Sequence, residues 1–172
     1  PCDPTEMEKA VFAAAEIDGP VYIRVARPVC EDITTEDTPF IPGKANILKD
    51  GNDVCIITMG LMVPIALKAA EMLEAEGISA AVVNMHTVKP IDAETILAMN
   101  EKCKGIVTAE EHSVIGGLGS AVAEVLAGHD GAKFERVGIQ DKFGKSGKPD
   151  ELFAAYGLTA ENIVEKCKAT LA

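Results

Sequence analysis

Apolar residues recur along this chain in two alternating rhythms. One is a short unbroken run: Val54-Cys55-Ile56-Ile57-Thr58, then Ala80 to Met85, Ile106 to Ala109 and Phe134 to Ile139. Runs without polar alternation suit strands that are covered on both faces. The other rhythm is helical. Val63, Ala66, Leu67, Ala70 and Leu73 fall on one helix face, and Gly77 ends that segment. Asp92 is placed to cap a helix carrying Ile96, Leu97 and Cys103. Val122, Val125 and Leu126 mark a third helix closed by Gly128. Pro149 opens a short one through Phe153 and Tyr156, and Thr159 caps a last one with Ile163, Val164, Cys167 and Leu171. Ala45 to Leu48 reads as a short edge strand before the turn Lys49-Asp50-Gly51-Asn52. Strand and helix alternating with short loops predict an α/β fold: an open, mostly parallel sheet with helices on both faces.

The front of the chain breaks this rhythm. Asp3 suits a helix cap, Pro4 the first helical position, and Glu6 completes a capping box. Met7, Val11 and Ala14 follow at helical spacing until Gly19-Pro20, and Val21 to Ala26 reads as a strand. One helix and one strand cannot bury a core of their own, so this segment is expected to pack on something outside the regular part. Residues 28–43 hold Pro28, Pro39 and Pro42 and the acidic, Thr-rich run Glu31 to Asp37, the composition of a connector.

Composition narrows the function. The net charge is −11, from 16 Lys plus Arg against 27 Asp plus Glu. A surface this acidic repels nucleic-acid phosphates and anionic lipids, which speaks against both as partners. No apolar run approaches the roughly 18 residues of a membrane span. The start, Pro1-Cys2-Asp3-Pro4, lacks a basic and apolar leader pattern and reads as a boundary or a processed end. The five cysteines, Cys2, Cys30, Cys55, Cys103 and Cys167, are odd in number and show no C-x-x-C pair. They read as reduced thiols of a cytoplasmic protein, several of them in apolar runs, and predict neither a disulfide frame nor a zinc site.

In open parallel sheets, ligands meet the carboxyl ends of the strands. Those ends carry Thr58-Met59-Gly60, Asn84-Met85-His86-Thr87, Glu110-Glu111-His112-Ser113 and Gln140-Asp141-Lys142. His86, Glu110, Glu111 and His112 therefore form a candidate rim, suited to proton transfer, to a small anion, or to an interface. Gly116-Gly117-Leu118-Gly119-Ser120 lies between a strand and a helix. Its amides suit an anion, and its glycines equally suit close helix–sheet packing. Arg24 and Arg27, in and just after the front strand, suit a phosphate or carboxylate fork, or an ion pair with another domain. Phe143-Gly144-Lys145-Ser146-Gly147-Lys148 lacks the order of a phosphate loop and reads as a surface turn that docks on a neighbour. Ser113 has no nucleophile elbow around it.

Three stretches resemble one family. Val83 to Asp92, Thr108 to Ser120, and Phe143 to Leu152 with Tyr156-Gly157-Leu158-Thr159 are similar to successive motifs of the transketolase carboxy-terminal domain. The likeness covers nearly all of residues 44–172, and is greatest to the carboxy-terminal subunit of split bacterial transketolases. Gly19 to Arg27 resembles the last helix and strand of that family's pyrimidine-binding domain. The resemblance implies a division into a pyrimidine-domain remnant at 1–27, a linker at 28–43 and the carboxy-terminal domain at 44–172. It implies thiamine diphosphate and Mg in the full enzyme, with two-carbon ketol transfer between sugar phosphates. Arg27 falls where the family places an arginine that binds the substrate phosphate, with Arg24 second. The implied partners are the amino-terminal subunit and pyrimidine-binding domain, in a homodimeric full enzyme. The family's metal-binding G-D-G is missing, because neither Asp50-Gly51 nor Asp130-Gly131 completes it. The front segment is too short to hold the activating glutamate. This chain is accordingly expected to assemble the enzyme, bind no cofactor by itself and be inactive alone. Alternatives are a part of 1-deoxyxylulose-5-phosphate synthase, a 2-oxo-acid dehydrogenase beta subunit, or a free-standing module for a small anion.

Overall fold

The computed structural model describes residues 1–172. Its sheet has five strands: β1 (Asn46–Lys49), β2 (Val54–Thr58), β3 (Ala80–Asn84), β4 (Gly105–Ser113) and β5 (Lys133–Ile139), in the order β1-β3-β2-β4-β5. β1 runs antiparallel to β3, and the other neighbours are parallel. β2 and β3 are buried at every position, as their unbroken apolar runs require.

Helices cover both faces. α2 (Met62–Ala75) and α6 (Ala160–Leu171) pack on one, where Val54, Ile56 and Val107 meet Leu73, Ile163 and Cys167. α3 (Ala93–Lys102) and α4 (Leu118–Leu126) pack on the other, where Cys55, Ile57 and Ile106 meet Ile96, Met99 and Val122. Alternate residues of each buried strand thus feed separate cores. α5 (Pro149–Ala155) lies between β5 and α6 in sequence and has no buried residue. Gly77, with φ +79°, takes the left-handed position that ends α2. Asp92 caps α3 through Thr95 N at 3.2 Å and also accepts from Ala45 N at 2.9 Å, which ties the start of β1 to that helix.

The two sheet margins differ. β1 is four residues long, and its register shifts between Ile47 and Lys49. β5 is seven residues long and keeps register with β4 from Lys133 to Val137. Lys133 N donates to Lys104 O, and Ile139 O accepts from Val114 N. The odd residues of β5 therefore face β4, and Phe134, Arg136 and Gly138 turn their backbone groups outward.

Two local expectations fail. Val21–Ala26 forms no strand. No strand lies beside the run to complete a ladder, and Tyr22 is 88% exposed. The capping box is also displaced. Asp3 does cap α1 (Pro4–Ala15) through Glu6 N at 2.7 Å. The Glu6 side chain accepts not from Asp3 N but from Cys2 N, at 2.7 Å.

Candidate functional site

The carboxyl ends of β2, β3 and β4 form the rim. The crossovers from β2 and β4 leave in opposite directions between these two neighbours, which makes this the switch point of the sheet. Thr58 Oγ1 donates to Ala109 O at 2.9 Å across it. β4 continues past the expected end at Ala109 and carries Glu110, Glu111 and His112 within the strand. Their surroundings differ: Glu110 accepts from the start of α4 and Glu111 from Arg24, while His112 Nδ1 has no partner within the chain.

Glu110 is 1% exposed. Its carboxylate accepts from Leu118 N at 2.7 Å and Gly119 N at 2.8 Å. It occupies the start of α4, the place where a phosphate sits in many doubly wound domains. A Cβ on Gly117 would lie 2.0 Å from Glu110 Oε2, so the missing side chain there makes room for this carboxylate. A Cβ on Gly119 would lie 2.8 Å from Thr108 Oγ1 and 2.7 Å from Arg136 Cδ, which lets α4 approach the sheet. The glycine loop therefore serves close packing and an internal anion.

His86 and the Glu110–His112 group are held by different neighbours. His86 stacks on Phe40 with ring centres 4.2 Å apart, and its Nδ1 lies 2.9 Å from Thr87 Oγ1. Burial pushes its imidazole below the ordinary value, partly offset by the Glu6 carboxylate. Glu111 accepts from Arg24 at 2.9 Å. Asn84 Oδ1, His86 Nε2, Glu111 Oε2 and His112 Nδ1 are all buried on this rim with no hydrogen-bond partner within the chain.

The pattern of residues did not reveal the acidic end of α1 as part of this place. Asp3 is 3% exposed and accepts from Ile33 N at 2.8 Å, Thr34 N, and Thr34 Oγ1 at 2.9 Å. Burial works against its charge, yet the bonds from Glu6, Thr34 and Ile33 hold its carboxyl below the usual range. Glu6 Oε1 accepts from Asn84 Nδ2 at 2.7 Å, which joins α1 to the end of β3. The signal available in the sequence was two acids in a capping arrangement; their second partners lie about thirty and eighty residues away.

Arg24 and Arg27 are exposed and line one cavity of 380 Å³ together with Cys2, Met7, Val25 and Cys30. A larger hollow of 630 Å³ flanks the outer margin of β5, between Ala123 of α4 and Asn162 and Lys166 of α6. The Phe143–Lys148 turn is exposed, with Phe143 98% accessible.

A mixed, largely parallel sheet wrapped on both faces, with its own carboxylate at the switch point, defines a doubly wound α/β domain with an internally closed ligand position. The model for the transketolase C-terminal domain matches residues 43–163, and the chain belongs to that family. It is 47% identical over 170 residues to a putative transketolase C-terminal section of Methanocaldococcus jannaschii, spanning 96% of this chain and 52% of that protein. It is 46% identical over 164 residues to a 6-deoxy-6-sulfo-D-fructose transketolase subunit of Clostridium sp. strain MSTE9, spanning 95% of this chain and 51% of that one. The 1-deoxy-D-xylulose-5-phosphate synthase of Symbiobacterium thermophilum is 36% identical, over 99% of this chain and 27% of its own length. A solved split-gene transketolase, described as an inactive beta4 tetramer, superposes with a TM-score of 0.95 at 47% identity, covering 99% of this chain and 56% of that one. The chain spans about half the length of the split relatives it matches.

Proposed function

We propose that this chain is the carboxy-terminal part of a thiamine-diphosphate-dependent transketolase of the cytoplasm, which in the whole enzyme moves a two-carbon ketol unit between sugar phosphates. Residues 44–172 act as the assembly domain, 28–43 as the linker and 1–27 as the end of the pyrimidine-binding domain. Arg27 binds the substrate phosphate, with Arg24 beside it. The partners are the amino-terminal half and a second copy in a dimer.

The observation that carries the assembly role is Glu110. At the start of α4, beside the switch point of the sheet, the chain supplies its own carboxylate. A diphosphate brought there would meet a buried negative charge. Thiamine diphosphate supplies the carbanion chemistry of such enzymes. The residues present do not fit its site: no group of three His, Cys, Asp or Glu side chains is placed to hold its metal, and the sequence lacks G-D-G. The unpartnered polar atoms of Asn84, His86, Glu111 and His112 support a rim that meets another protein surface. The self-assembled, inactive state named for the similar split-gene structure fits the same reading.

Calorimetric titration with thiamine diphosphate and magnesium tests it. Heat of binding is expected only when the chain is mixed with its amino-terminal half. Binding by the chain alone overturns the assembly reading and favours a free-standing anion module. The synthase relatives favour a second reading, part of a 1-deoxyxylulose-5-phosphate synthase. Product analysis of the mixture separates the two: ketol transfer between sugar phosphates supports the first, and formation of 1-deoxyxylulose 5-phosphate the second.

A further inference from the structure

From residue 18 to residue 32 the chain makes no backbone–backbone hydrogen bond. It makes a single side-chain bond in that stretch, from Arg24 Nη2 to Glu111 Oε1 at 2.9 Å. A run without backbone hydrogen bonds holds its position only through the contacts of its side chains. Val21, Tyr22, Val25 and Val29 are all exposed, and only Ile23, Ala26 and Cys30 are partly covered, so apolar contacts secure little of it. Glu111, by contrast, stands on β4, a strand fixed in the sheet beside β5, and its side chain is only 19% exposed.

Arg27 lies three residues beyond the tethered Arg24, on the same cavity, and makes no ion pair. Two guanidiniums so close compete for any single anion. Glu111 engages one of them and leaves the other free. We propose that Glu111 is a positioning residue: by holding Arg24 it fixes the front segment against the carboxy-terminal domain and presents Arg27 as the free cation for the substrate phosphate. This rests on the reading of Arg27 as the phosphate-binding group. It gives the domain a part in substrate recognition without a group of its own on the substrate.

Glu111→Gln keeps the shape of the side chain and removes its charge. In the enzyme reconstituted with its amino-terminal half, this variant is expected to raise KM for a phosphorylated sugar about five- to tenfold, with kcat nearly unchanged. KM for the unphosphorylated sugar is expected to stay the same, which loss of overall structure would not produce. The paired reversal, Glu111→Arg with Arg24→Glu, is expected to restore the lower KM. Arg27→Ala separates the two levels of the argument. If it leaves KM for the phosphorylated sugar unaltered, the phosphate reading falls and this inference with it. If Arg27→Ala raises KM and Glu111→Gln does not, the positioning role alone is overturned. A readout independent of turnover uses the chain by itself. Chymotrypsin cleavage after Tyr22 is expected to quicken about fivefold in Glu111→Gln. Unchanged cleavage shows that the ion pair does not hold the segment, and overturns the proposal.

Discussion

Asp92 shows how much one carboxylate does here. It caps α3, and it also accepts from Ala45 N and, at 2.8 Å, from Thr95 Oγ1. Burial opposes its charge, but these bonds and the nearby Lys44 outweigh burial and hold its carboxyl below the usual range. A carboxyl depressed on folding adds stability that is complete above the unfolded value, near pH 3.9, and is lost as pH falls through the folded one. Asp3 obeys the same sign. Asp92→Asn is therefore expected to lower stability at neutral pH by about 1–2 kcal/mol. Its acid limb is expected to be shallower than the parent's below about pH 4. Urea unfolding at pH 7 and across the acid range checks both; equal slopes would mean that Asp92 titrates alike folded and unfolded.

At the scale of elements, the joint between β4 and α4 is the informative one. Glu110→Ala leaves Leu118 N and Gly119 N buried without their anion and is expected to cost about 2–3 kcal/mol. It also opens the helix start to a guest. Inorganic phosphate is expected to raise the thermal midpoint of this variant and leave the parent's unchanged. A variant indifferent to phosphate would show that the joint collapses without its carboxylate. The strands were legible because a doubly covered strand has only one pattern open to it, and β2 and β3 wear it plainly. The extension of β4 was not, since Glu110 and Glu111 read as polar strand-end residues until α4 and Arg24 are placed beside them. The front strand failed for the opposite reason. Val21 to Ala26 has the right residues, but a strand is made by its neighbour.

For the whole molecule, the front segment and the domain are joined by a few polar contacts. Glu6 with Asn84 ties one end and Arg24 with Glu111 the other, across 78 and 87 residues of sequence. Separations of that size leave no local pattern, which is why the rim could be proposed from strand ends while its division among separate partners could not. No helix of the structure is long and apolar enough to cross a membrane. Lys133 and Glu135 stand on β5, at the margin whose backbone groups point outward. Replacing both with Val is expected to bring on turbidity at a lower temperature during heating, followed by light scattering. A variant that stays as clear as the parent would show that the margin is guarded by something other than charge.

The unequal margins give the molecule a polarity of growth. At β1 the sheet ends in a short, shifted strand that offers a poor template. At β5 it ends in a regular one, with a hollow between two helical layers where a further strand would fit. Extension of this sheet by a further strand is thus directional, favoured at β5 over β1.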